Sequence, residues 1–239
     1  MSERILYYGA SGRGCIGTIS ANNVLDDVTV LPEGAFAPDW TLITALSNNR
    51  ILYYAGASVR ACIGSIDAEN VLQDVVAFPE TPEGPFGLGF REVATLRGDL
   101  VLFYADLNGH SWLVRIPDDN TPDTIRIYNP GEFAPDWKQI TWLGGNRVLF
   151  CGAGGRGVVC TLDSNNLFHD GPVLPEGSFA PDWKQITAFG DGRILYYGAS
   201  GRGVIGTVDG ENDFDDWVSM PEGTFAPDWI QITSLRVPA

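Results

Sequence analysis

The chain has 239 residues, 44% of them hydrophobic, which is enough to bury a full-sized core. Its 29 glycines and 15 prolines, mixed with Ile, Val, Tyr and Thr, make the composition of short strands joined by tight turns. A formal net charge of -15 argues against nucleic acid or an anionic membrane surface as partner, since both would be repelled.

No apolar run reaches the roughly 20 residues of a membrane span, so no membrane insertion is expected. Met1-Ser2-Glu3-Arg4 lacks the apolar core of a secretory signal, which points to a cytoplasmic protein or one released without a recognisable signal peptide.

Near its start the chain reads Arg4-Ile-Leu-Tyr-Tyr-Gly-Ala-Ser-Gly-Arg-Gly14 and then Pro32-Glu-Gly-Ala-Phe-Ala-Pro-Asp-Trp40. Both phrases return almost unchanged at 193–203 and 221–229, and in altered form between. Five units span 4–49, 50–99, 100–146, 147–192 and 193–239, a period of 46 to 50 residues. Such a period, holding several strands, is a propeller-blade signature.

Each unit reads as four strands. In one copy they fall at Trp183–Phe189, Arg193–Tyr197, Val204–Val208 and a short outer piece near Val218–Met220, with Gly190-Asp-Gly192 as a hairpin turn. No segment shows the periodicity and caps of a helix. The chain begins in the second strand of a blade and ends with a lone first strand, Trp229–Leu235, which can pair only with Ile5–Tyr8. The expectation is a single all-β domain over 1–239. It is a five-bladed β-propeller of four-stranded antiparallel blades, its ring closed by the N- and C-terminal strands.

With strands lettered a to d from the axis outward, the b–c turn and the d–a link emerge on one face. Gly-Ala-Ser-Gly-Arg-Gly is the b–c turn and Pro-Glu-Gly-x-Phe-Ala-Pro-Asp-Trp is the link, so both signatures crowd one rim. The variable a–b and c–d turns lie opposite, which concentrates the repeated features on one face. On the rim, Arg13, Arg60, Arg156 and Arg202 recur at one position, with His110 there in the third repeat. Glu33, Glu176 and Glu222 stand nearby, as do Asp39, Asp136, Asp182 and Asp228, each before Trp40, Trp137, Trp183 or Trp229.

Two readings fit. In one, each pocket offers Arg, a carboxylate and an aromatic wall to the hydroxyls and C–H surface of a sugar. In the other, Arg bridges the carboxylates to lock the loops, Asp caps the turn and Trp packs between blades. The near-copies favour three good sites, around Arg13, Arg156 and Arg202.

Repeat two replaces Phe-Ala-Pro-Asp-Trp by Pro85-Phe-Gly-Leu-Gly-Phe90, and repeat three replaces the arginine loop by Ala105-Asp-Leu-Asn-Gly-His-Ser111. If the protein were an enzyme, His110, Asp106 and Asp118 would be the acid–base candidates. Gly12-Arg-Gly-Cys-Ile-Gly17 matches a dinucleotide-loop pattern, but a strand follows rather than a helix, and no cofactor is expected. The acidic c–d turns at Asp67, Asp163 and Asp209 offer oxygen ligands for calcium, yet Asn and Asp are ordinary turn formers and no metal is expected. Cys15 and Cys62 are a whole repeat apart; Cys151 and Cys160 flank one hairpin and are the pair placed to bridge it, with free buried thiols as the default.

The whole chain resembles the tachylectin-type five-bladed propeller lectins. The likeness lies in repeat count, in the Trp opening strand a, in Gly192-Arg-Ile-Leu-Tyr196, and in Asp215-Asp-Trp217 before an outer strand. It departs from them in having Phe-Ala-Pro-Asp-Trp where that family has Gly-Gly-Trp, and in its Gly-Arg-Gly loops. The resemblance implies the propeller fold and carbohydrate binding, with N-acetylated amino sugars as typical ligands. The expected function is a multivalent, non-catalytic lectin whose partner is a glycan or small polar ligand. The alternatives are a single-site enzyme near repeats two and three and a protein-interaction scaffold.

Overall fold

Burial along the second strand of a unit explains the architecture. In Glu3–Gly9, Ile5 and Tyr7 face one way and Leu6 and Tyr8 the other, and all four are buried, at most 2% exposed. A strand buried on both faces needs a neighbour on each side. Ile5 and Tyr7 join an apolar layer shared with the last unit, and Leu6 and Tyr8 one shared with the next. Similar layers fill the remaining gaps between units.

The computed structural model describes residues 2–78, 86, 89–105, 108–221 and 223–235, with the backbone alone at 10, 27, 28, 74, 75, 216 and 217. Blade 1 contains β1 (Glu3–Gly9), β2 (Gly14–Ile19) and β3 (Leu25–Val30). Blade 2 contains β4 (Leu42–Ala45), β5 (Arg50–Ala55), β6 (Arg60–Ile66) and β7 (Leu72–Phe78). Blade 3 contains β8 (Glu92–Thr95), β9 (Leu100–Tyr104), β10 (Ser111–Arg115) and β11 (Asp123–Tyr128). Blade 4 contains β12 (Trp137–Gly144), β13 (Arg147–Gly152), β14 (Gly157–Leu162) and an outer strand in two pieces, β15 (Phe168–His169) and β16 (Val173–Leu174). Blade 5 contains β17 (Trp183–Ala188), β18 (Arg193–Gly198), β19 (Gly203–Val208) and β20 (Phe214–Ser219). The last strand, β21 (Trp229–Ser234), returns to blade 1 as its innermost strand.

Every blade is antiparallel, and the inner strands touch in the circuit β21, β4, β8, β12, β17 and back to β21. The protein is a five-bladed β-propeller. Its seam is closed as the phase of the repeats requires, with Ile5 opposite Ser234, Leu6 opposite Thr233 and Tyr7 opposite Ile232.

Two details differ from the sequence expectation. The outer strand of blade 5 starts at Phe214, so Asp215-Asp-Trp217 lies within it; a bulge between Ile205 and Thr207 lets the longer strand stay paired. The outer strand of blade 4 is broken where Asp170-Gly-Pro172 interrupts it. Cys151 and Cys160 keep to the default of free thiols, because Cys151 lies opposite Gly157 and Cys160 opposite Val148. All four cysteines are free and buried, and burial pushes the Cys160 thiol up to about 12. Among the described residues no helix is long and apolar enough to cross a membrane.

Candidate functional site

The two signatures meet because glycine lets them. Gly12, Gly109, Gly155 and Gly201 have φ of 76°, 72°, 75° and 77°, in the left-handed region. A Cβ at these positions would fall 1.8–2.4 Å from the carbonyl oxygens of Phe36, Phe133, Phe179 and Phe225. Each b–c turn thus lies directly against the d–a link. Blade 2 has Val59 at the same place, at φ 56°, a costly conformation for a β-branched residue.

Tyrosine hydroxyls tie the links down from below. Tyr8, Tyr104 and Tyr197 donate to the carbonyls of Ala37, Ala134 and Ala226 at 3.0, 2.6 and 2.8 Å.

On this base each loop arginine finds its partners within the blade. Arg13 pairs with Asp228 at 2.6 Å, Arg156 with Asp136 at 2.5 Å and Arg202 with Asp182 at 3.0 Å, and Arg60 pairs with Asp39. Each guanidinium also lies 4.1–4.3 Å over the centroid of Trp229, Trp137, Trp183 or Trp40. The aspartate and tryptophan come from the link entering the same blade, and for blade 1 from across the closing seam. Four blades carry the complete trio, Arg60 included, rather than three.

The trio differs from the first of the two readings in two respects. Tryptophan is not an open wall, because the guanidinium covers it and it packs on the strand-b aromatics Tyr7, Tyr53, Phe150 and Tyr196 at 5.5–5.7 Å. Glu33 and Glu176 are exposed and enter none of the described ion pairs, the Glu176 carboxylate lying against Gly154 of the turn, and Glu222 lies outside the described residues. What the rim presents is the edge of an ion pair: aspartates 43–54% exposed beside arginines 32–46% exposed.

Blade 3 breaks all three positions at once. His110 stands for the arginine, Gly89 for the aspartate and Phe90 for the tryptophan. Trp112 donates its indole N–H to His110 Nε2 at 3.1 Å, and Phe90 meets the Trp112 ring edge-on at 5.4 Å. Irregularities that belong to different repeats in the sequence are therefore one altered site. Asp118 is not part of it. It follows β10 where His110 precedes that strand, about 17 Å of strand away, and it sits 3.2 Å from Arg50 on the opposite face. Asp106 lies outside the described residues. The expected acid–base set is not assembled by His110 and Asp118.

The opposite face is also fully repeated, which the sequence reading did not find. Arg4 donates to Asp67 O and Asn70 Oδ1 at 2.8 and 2.6 Å. Arg50 reaches Pro117 O and Asn120 Oδ1, and Arg97 reaches Asp163 O and Asn166 Oδ1. Arg147 holds Asp209 O and Asn212 Oδ1, and Arg193 holds Ser20 O and Asn23 Oδ1.

Each of these arginines binds the c–d turn of the following blade, and every one of the five asparagines is left-handed, with φ between 59° and 71°. The calcium candidates belong to this device. Asp67, Asp163 and Asp209 each accept two backbone N–H groups of their own turn, at 2.8–3.0 Å. The amides hold the Asp163 and Asp209 carboxyls below the usual carboxylate range, with a hydrogen bond from His169 the largest cause at Asp163. The missed signal was Ser/Asp-x-x-Asn in four of five repeats.

Fold and site together define a propeller with four equivalent Arg–Asp–Trp clasps on one face. No family model matches the sequence, and no curated protein is recognisably similar to it. Solved structures are similar in fold. A Bacteroides fragilis protein provisionally named a 6-phosphogluconolactonase superposes with a TM-score of 0.54 at 8% identity, over 95% of this chain and 83% of that one. AofleA from Arthrobotrys oligospora gives 0.51 at 8% identity, over 92% and 71%. The chain spans 66% of a Lactobacillus plantarum protein that superposes at 0.49 with 14% identity. At such identities the likeness is one of fold.

Proposed function

We propose that the protein is a multivalent carbohydrate-binding protein whose sites are the Arg–Asp edges at Arg13, Arg60, Arg156 and Arg202. The observation that carries this reading is the fourfold recurrence of a half-exposed ion pair. An exposed pair contributes only about 0–1 kcal/mol to stability, which gives little reason to keep the same pair in four blades.

The pair suits a vicinal diol. The guanidinium has five N–H donors, few of which the aspartate uses, and the carboxylate retains lone pairs for a sugar hydroxyl. The sugar would sit across the ion-pair edge, with the tryptophan ring beneath fixing the guanidinium plane. The resemblance to the tachylectin-type lectins supports the same reading. No nucleophile–base pair is built into these sites, and none is needed for binding.

A shallow site of this kind holds one sugar at about millimolar Kd, roughly −4 kcal/mol. Several sites engaging one surface add about 10²–10⁴ in avidity. The test is a glycan array on the purified protein, followed by calorimetry with the best monosaccharide. Four equivalents bound per chain are expected. An empty array, or a single site unaffected by R13A and R202A, overturns the proposal, and a protein partner in pull-downs would then mark the scaffold alternative.

A further inference from the structure

A cleft between blades 3 and 4 departs from the repeat in three ways that converge. The cleft holds about 790 Å³ as one continuous space, whereas between blades 1 and 2 the corresponding residues line two separate spaces of about 370 and 500 Å³. First, Ser111 occupies the position of Gly14, Gly157 and Gly203, where a Cβ would lie within 2.2–2.8 Å of the link phenylalanine ring. Second, the link Pro130-Gly-Glu-Phe133 is one residue shorter than Pro32-Glu-Gly-Ala-Phe36. Third, the outer strand of blade 4 is broken at Asp170-Gly-Pro172, beside the cleft.

The outcome is visible in one ring. Phe36, Phe86, Phe179 and Phe225 are 2–3% exposed, whereas Phe133 is only half-buried. It stands in the cleft with Tyr128, Phe150 and Phe168, ring centroids 4.9–5.8 Å apart. Arg126 also lines the cleft, 5.1 Å over the Tyr128 ring, and its buried Nε has no hydrogen-bond partner. It enters none of the ion pairs among the described residues. The acids at the lip each hold a hydrogen bond of their own, Glu132 from the Asn129 amide and Asp170 from the Cys160 thiol at 3.9 Å, and neither pairs with Arg126 among the described residues.

We propose that this cleft binds a small planar aromatic molecule bearing a carboxylate, its ring against Phe133 and Phe168 and its charge on Arg126. Flat apolar walls of Tyr128, Phe133, Phe150 and Phe168 beside one guanidinium with an unpaired Nε suit the ring and the charge of such a ligand. The site does not depend on sugar binding at the clasps.

The test uses 2-naphthoate, 2-naphthamide and cyclohexanecarboxylate in calorimetric titrations of the native protein. One 2-naphthoate per chain is expected, bound about tenfold more tightly than either comparator. R126Q should weaken naphthoate about tenfold and leave naphthamide unchanged. V158W, which fills the cleft, should abolish binding of both, with folding verified by its thermal melt. Absence of saturable binding, several equivalent sites, equal affinity for acid and amide, or indifference to R126Q each overturns the proposal. If V158W fails to fold, the R126Q comparison alone decides.

Discussion

Glu92 stands in the central channel at the position that Gln139, Gln185 and Gln231 hold in other blades. Gln139 shows what the position does: it donates Nε2–H to Lys184 O at 2.7 Å and accepts from Ile186 N at 3.3 Å, stitching adjacent inner strands. Glu92 accepts in the same way from Ile140 N at 3.4 Å. To donate as glutamine does, it must carry a proton. Burial pushes its pKa from 4.5 to about 8, with the Ile140 amide opposing the shift, so the folded protein holds it protonated at neutral pH.

The sign follows directly. Between 4.5 and about 8 the folded state binds a proton that the unfolded state has released, so stability falls as pH rises through that window. The slope is about 1.4 kcal/mol per pH unit. The side chain is partly accessible from the channel, and that solvation limits the total loss to roughly 2–4 kcal/mol. Glu92→Gln should therefore match the parent near pH 4.5 and exceed it by roughly 2–4 kcal/mol at pH 9. Urea unfolding of both proteins at pH 5, 7 and 9 measures the difference. A stability difference that stays constant across the three pH values would refute the reasoning.

Three further outcomes are expected. Arg202→Ala should cost less than about 1 kcal/mol in urea unfolding, because its ion pair is exposed, yet lower the calorimetric sugar stoichiometry by one. Arg193→Ala should cost about 2–4 kcal/mol, since it removes a buried guanidinium bonded to Asp191, Ser20 and Asn23 across the seam between blades 5 and 1; thermal unfolding reads it. Val59→Gly should destabilise blade 2 by about 1–2 kcal/mol, because the burial lost with a side chain only 7% exposed and the entropy cost of glycine together exceed the left-handed strain relieved; chemical denaturation checks the sign.

Much of the candidate site was legible because both of its halves are local phrases. The rim shared by the b–c turn and the d–a link follows from antiparallel order alone. The pairing of Arg with Asp rather than with Glu33 or Glu176 was not legible, since both acids lie in the same link and only its path past Trp40 or Trp183 selects one. Whether the tryptophan forms an aromatic wall or packs between blades stayed open for the same reason: sequence places the ring beside the arginine but does not say that the guanidinium lies on its face. His110 and Phe90 looked like faults in two repeats because the repeat was counted from strand b, whereas a blade begins at strand a.

The sequence by itself determined the five units, their four strands and the closure of the ring, because alternation, turn glycines and period are properties of short stretches. Tertiary structure decided which loop touches which. The Arg–Asn clasps join residues 62 to 173 positions apart, from Arg147 to Asp209 and from Arg193 to Ser20. The cleft between blades 3 and 4 arises only where Ser111, the shortened link and the broken outer strand are brought together. Contacts of that kind depend on how neighbouring blades pack, and no single repeat contains the information.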